Sequence, residues 1–155
     1  MRLWSIEPET QKKYTHVVPT DEFLNNDELM GKWHKIGGRP VKNKVQPIEM
    51  RKEYKSKKLY NIPYFFFNLL IMDNIAVNAF ENIFNQNNVE LLPLINPEHK
   101  LYAINILDAY EEKDVLDMDK SEFEFFKSSG RIMCVNKYVF VPSLVEGKDI
   151  FFCEA

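Results

Sequence analysis

The stretch "IPYFFFNLLIMDNIAVNAFENIFNQ", Ile62 to Gln86, constrains the fold more than any other part of the chain. Its first half is aromatic and apolar almost without interruption, a pattern that belongs to a strand covered on both faces. The run "YFFFNLLIM" after Pro63 therefore predicts one buried strand. Asp73 stands where a helix needs a capping oxygen, and Ile75, Ala79, Phe80, Ile83 and Phe84 recur at helical spacing behind it. The Asn-rich "NQNN" ends that helix. The apolar run is too short to span a bilayer and is broken by Asn68.

The segments around this unit read as strands and turns. "VELLPLI" and "KLYAINIL" predict a hairpin with the turn-forming "NPEH" between them. "RLWSI" and "YTHVVP" predict two short strands near the N-terminus, and "TDEFLNNDELM" a weakly amphipathic helix with Thr20 or Asp21 as its N-cap. "GKWHKIGGRPVKNKVQP" holds three of the five glycines and two prolines and predicts irregular chain. "RKEYKSKK" fits a helix or an exposed strand. "RIMCV", "KYVFV" and "DIFF" predict three late strands, with Asn136 and Gly147 as turn residues. With no repeat and no linker, the 155 residues predict a single α+β domain. Its sheet is mainly antiparallel, with one well-defined amphipathic helix and shorter ones.

Composition excludes several classes. An apolar share of 45% describes a globular core rather than a disordered chain. Cys134 and Cys153 sit in no metal spacing and are too few for a disulfide scaffold. "MRLWSIEPET" carries no secretory core, so the expected compartment is the cytoplasm. Charge is uneven: residues 1–60 carry a net +5, concentrated in 32–58, and residues 61–155 a net −8. Eight acids fall within 108–124. Such runs mark either a charged partner or solvated faces, including faces that meet within the fold.

"DVLDMDKSEFEFF", 114 to 126, is the sharpest chemical candidate. A phosphatase aspartate should end a buried strand, yet "YEEKD" precedes this pair and only 34 residues follow Ser121. A calcium loop starting at Asp117 would need Gly and Glu where Glu122 and Ser128 stand. The spacing Asp119–Glu122, or Ser121–Glu124, matches a capping box. That predicts a helix start with Phe123 and Phe126 on one face, Leu116 anchored in the core and Gly130 as the stop. His16, His34 and His99 are scattered, Cys134 reads as a core residue, and the phosphate-binding glycine motifs are missing. Trp33 and Tyr54 within the basic run suit single strands of nucleic acid, but the overall acidity speaks against such a partner. No catalytic, cofactor-binding or metal residue emerges.

The C-terminal passage "VELLPLINPEHKLYAINILDAYEEKDVLDMDKSEFEFF", followed by "GRIMCVNKYVFVPSLVEGKDIF", resembles bacterial immunity proteins of polymorphic toxin systems. The group is the myxobacterial type numbered eleven, formerly a domain of unknown function. The resemblance is carried by Leu92-Pro93-Leu94, Tyr102, Asn105, Leu116-Asp117, Ser121-Glu122-Phe123, Tyr138-Val139-Phe140, Gly147 and Ile150-Phe151. It covers residues 60–152 well and 1–60 loosely. It implies a non-enzymatic protein that neutralises a cognate toxin domain stoichiometrically, without cofactor, nucleic acid or membrane, and leaves the oligomeric state open. On that reading Asp108, Glu111, Glu112, Asp114 and Asp119 would face a basic toxin cleft, with Tyr110 as an aromatic anchor. The alternative is a small intracellular partner-binding or ligand-binding module of another role.

Overall fold

The structure, a computed structural model, describes residues 13–42, 44–67, 69–130, 132–149 and 151–154. In chain order come β1 (Tyr14–Thr15), β2 (Val17–Pro19), α1 (Asp21–Leu24), α2 (Asp27–His34), β3 (Met50–Lys52) and β4 (Lys58–Leu59). The central unit follows as β5 (Tyr64–Phe66), β6 (Leu69–Asp73), α3 (Asn74–Ala79), α4 (Glu81–Gln86), β7 (Val89–Leu94) and β8 (Leu101–Ile106). The last third holds β9 (Ala109–Glu111), α5 (Glu112–Val115), β10 (Glu122–Phe125), β11 (Ile132–Lys137), α6 (Pro142–Val145) and β12 (Phe152–Glu154). The fold is α+β, and its main sheet is antiparallel throughout, in the order β5-β6-β8-β7. The expected "RLWSI" strand lies outside the described residues.

The apolar run is a hairpin rather than one strand. Tyr64 to Phe66 pair with Ile71 to Leu69, and Phe67 turns the chain at φ 48°. The continuous hydrophobicity still reports burial on both faces of the sheet. Leu69, Ile71, Leu92, Leu94, Leu101 and Ala103 face one way, onto Phe23, Trp33, Ile36, Ile48 and Met50. Leu70, Met72 and Ile104 face the other, onto Ala76, Val77 and Phe84. Helices α3 and α4 thus cross from β6 to β7, and β8 returns between those two strands.

Asp73 caps α3 as its position predicts, its carboxylate accepting from the Ala76 N–H at 2.8 Å. The single predicted helix is instead two six-residue helices meeting at Phe80. That junction moves the buried stripe: Ile75 is 66% exposed and Ala79 is exposed, while Ala76 and Val77 go inside. The "NPEH" hairpin forms with Leu94 opposite Leu101, and Asn96 Oδ1 accepts from the Glu98 and His99 N–H groups in its turn. The N-terminal helix divides at Asn25–Asn26, where Asn26 rather than Thr20 supplies the side-chain cap, to Leu29 N.

One polar cluster holds the irregular basic loop to the sheet. Asn105 is fully buried opposite Glu90, where the apolar layer of that face ends. Its Nδ2 donates to Arg39 O at 2.8 Å and to Glu90 Oε2 at 3.0 Å, and its Oδ1 accepts from Gly38 N at 3.2 Å. Glu90 also accepts from the N–H groups of Val41 and Lys42, at 2.9 and 3.2 Å. Only glycine suits position 38: φ is 72°, and a Cβ there would collide with Ala109 Cβ. Three cations of this stretch pair with acids outside the 108–124 run, Lys32 with Glu28, Arg51 with Asp21 and Lys52 with Glu98. Among the described ion pairs none joins the basic stretch to the 108–124 acids.

Burial raises the Glu90 pKa, but the Val41 and Lys42 N–H groups and the Asn105 amide outweigh it and hold it below the ordinary 4.5. A folded-state value below the unfolded one means the carboxylate stabilises the fold fully above the unfolded pKa and progressively less as pH falls through the folded one. The stability advantage of the wild type over Glu90→Gln, measured by urea unfolding, is expected to be full above the unfolded carboxylate pKa and to shrink as pH falls below it. Asn105→Ala strands several buried groups at once and is expected to cost about 3 kcal/mol in the same assay.

Candidate functional site

The acidic segment around Asp117 forms the near strand of a projecting arm, not a helix. Asp117 O accepts from the Lys120 and Ser121 N–H groups, its Oδ1 accepts from Lys120 N at 3.2 Å, and its Oδ2 pairs with Lys120 Nζ at 2.6 Å. That closes a turn over residues 118–121. The chain then extends as β10, which pairs antiparallel with β11. The capping-box expectation fails because the aspartate satisfies the N–H groups of a turn, after which "EFEF" alternates with the period of a strand. Gly130 keeps its predicted role as a stop, at φ 67° with its N–H on Phe126 O, but it turns a hairpin. Asn136 lies inside β11 rather than in a turn, and of the "KYVFV" strand Lys137 ends β11 while Phe140 forms an isolated bridge with Leu116.

The arm is firmly rooted. Val115, Leu116 and Val145 are buried, and the ladder continues through Asp117 N to Val139 O at 2.7 Å and Val141 N to Val115 O at 2.8 Å. Buried Ser121 accepts from Val139 N at 3.0 Å and donates to Val139 O at 3.3 Å. Beyond this root the apolar side chains face solvent. Phe125 is 53% exposed, Phe126 50%, Met133 49% and Tyr138 51%. With Met118 and Ile132, the arm carries six of the eleven large apolar residues exposed among those described, which makes it the principal apolar surface. Cys134, expected in the core, is exposed on β11. Burial, then Glu124, push its thiol pKa up, so it is no activated nucleophile.

The residues singled out for partner binding separate into different roles. Asp108 is mostly buried and pairs with Lys148 at 2.6 Å while accepting from Asn88 at 3.3 Å. The Lys148 bond, against a burial penalty, holds its carboxyl below the usual aspartate range. Tyr110 lies half-buried, edge-on to Phe151 with ring centroids 6.0 Å apart, and Phe151 packs in turn on Phe140 at 5.5 Å. It therefore belongs to an aromatic row at the arm's root rather than to a protruding anchor. Glu111, Asp114 and Asp119 are exposed. Glu112 falls in α5 between Glu111 and Asp114.

Elsewhere an open hollow of about 330 Å³ lies between the basic loop and β7, lined by Trp33, Lys42, Val45, Pro47, Leu91, Leu92 and Pro93. Trp33 Nε1 is used by Gln46 O at 3.1 Å, so the ring is fixed there. Among the described residues no group of three or more His, Cys, Asp or Glu could hold a metal ion, and no helix is long and apolar enough to cross a membrane. No family model, no curated protein and no solved structure matches the chain.

The segregation of the acids yields a direct test. Asp108→Asn removes the charge that its buried side of the Lys148 pair requires and is expected to destabilise the protein by about 1 kcal/mol in urea unfolding. Asp114→Lys and Asp119→Lys, on exposed side chains, are expected to leave the unfolding midpoint where it is.

Proposed function

We propose that this chain acts by stoichiometric binding of another protein, without turnover, and that the Val115–Val141 arm is its docking surface. The observation that carries the reading is the concentration of exposed aromatic and apolar side chains on an arm whose root alone is built into the core. A folded monomer gains nothing from presenting Phe125, Phe126, Ile132 and Met133 to water, whereas an interface buries such groups at its centre behind a polar rim. The rim is present: Glu122 pairs with Lys137 at 3.5 Å, and Glu124 accepts from Asn136 Nδ2 at 3.0 Å.

The motifs quoted from residues 92–151 support a cognate toxin domain of a polymorphic toxin system as the partner, bound in the cytoplasm by an immunity protein. The exposed acids Glu111, Asp114 and Asp119 precede β10 in the chain and would favour approach of a basic partner. A ligand-binding role has one observation in its favour, the hollow beside Trp33. Among the described residues its lining offers a single charged side chain, Lys42, where a small-molecule site converges several polar groups.

The test is capture of the toxin domain encoded beside this protein on the immobilised chain. Nanomolar Kd and loss of that domain's toxicity are expected, and Phe125→Asp with Met133→Asp should weaken binding about 100-fold. A folded wild-type protein that leaves an active domain unbound and toxic overturns the immunity assignment.

A further inference from the structure

We infer that the partner docks on the outer edge of β10 by adding an extended strand in which basic and apolar residues alternate. The inference rests on the reading of the arm as the docking surface and names what that surface selects.

β10 reads Glu122, Phe123, Glu124, Phe125 and pairs on one side only, with β11; among the described residues no strand covers its other side. An uncovered edge presents a row of backbone N–H and C=O groups, which proteins ordinarily blunt with proline, lysine or bulges. The two edges of the arm differ in this respect. The partners Glu122↔Lys137, Phe123↔Val135, Glu124↔Cys134 and Phe125↔Ile132 skip Asn136 and Met133, so both extra residues fall on β11. Bulges twist and interrupt the strand that holds them. β11 also carries Lys137. β10 has neither bulge nor proline nor lysine, and it is the edge left open to pairing.

Side-chain alternation then selects the incoming strand. Glu122 and Glu124 project to one face of β10, and Phe123 and Phe125 to the other, their rings 6.0 Å apart. On the inner side each acid already faces a donor, Lys137 or Asn136. An acid placed opposite them from the outer side would meet like charge at roughly 5 Å, while lysine or arginine would complete a basic–acidic–basic row across three strands. On the other face, apolar residues would extend the layer of Phe123, Phe125, Val135 and Ile132. Backbone bonds supply affinity that any extended strand shares; the alternation supplies the choice.

The experiment uses the full chain, isotope-labelled, titrated into the millimolar range with two capped peptides, Thr-Lys-Val-Lys-Val-Thr and Thr-Glu-Val-Glu-Val-Thr, and read by amide shifts. The lysine peptide is expected to bind about ten-fold tighter and to shift the β10 amides. Glu122→Lys with Glu124→Lys is expected to reverse the preference, and Glu124→Gln, the milder variant, to narrow it. Equal binding of both peptides, no binding of either, or an unreversed preference in a folded variant overturns the inference. Toxin-domain capture separates this from the broader reading. If Phe125→Asp with Met133→Asp abolishes capture while Glu122→Lys with Glu124→Lys leaves it intact, the arm docks by its face and edge pairing is wrong. If both variants weaken capture, edge pairing stands.

Discussion

The cross-strand pair of Asn105 and Glu90 is the constraint on which the rest of this architecture hangs. One face of the main sheet must be covered by residues on either side of a long irregular loop, Trp33 and Ile36 before it, Ile48 and Met50 after it. Neither flank can hold that layer closed unless the loop returns at a fixed point. Asn105 and Glu90 supply the point by accepting from or donating to four successive stations, Gly38, Arg39, Val41 and Lys42. A buried amide beside a half-buried carboxylate would be a liability alone; the hydrogen bonds described for them go to backbone groups or to each other. The basic stretch is therefore a lid on the core held through its backbone.

With both sheet faces covered, the core is complete before the arm begins. One layer is closed by α2 and the segment around Met50, the other by α3 and α4. Among the described residues of the last third, Val115, Leu116, Ser121 and Val145 enter buried positions. The arm's outer phenylalanines and Met133 stay about half exposed and lie outside both core clusters. Their exposure is what the proposed docking role of the arm rests on.

How legible this was in the sequence depended on how many interpretations each signal admitted. Asp73 before an apolar helix, and "NPEH" between two apolar runs, each had one reading, and both formed. "YFFFNLLIM" announced burial on two faces correctly, but nothing in an aromatic run marks a residue that will turn at positive φ, and Phe67 did so where a glycine or asparagine would have been expected. "DKSEFEFF" carried two patterns at once, a capping spacing and a strand alternation. Tertiary pairing with the distant "IMCVNK" decided between them, and that pairing has no local trace. Cys134 was misplaced for the same reason: a strand in a covered sheet buries its apolar residues, a strand in an arm does not.

The acidic run from 108 to 124 looked like one electrostatic feature and is several. Asp108 is spent on Lys148, Asp117 on the turn that launches β10, and Glu122 and Glu124 line an open strand edge. Glu111, Asp114 and Asp119 are exposed near the root. Long-range attraction depends on the summed field and so still feels the whole run, whereas short-range selection depends on which carboxylates a docked strand can reach. Charge on the root residues should therefore act on the rate of encounter, and charge on β10 on the lifetime of the complex. The two groups are adjacent in sequence and separated by a single lysine-closed turn.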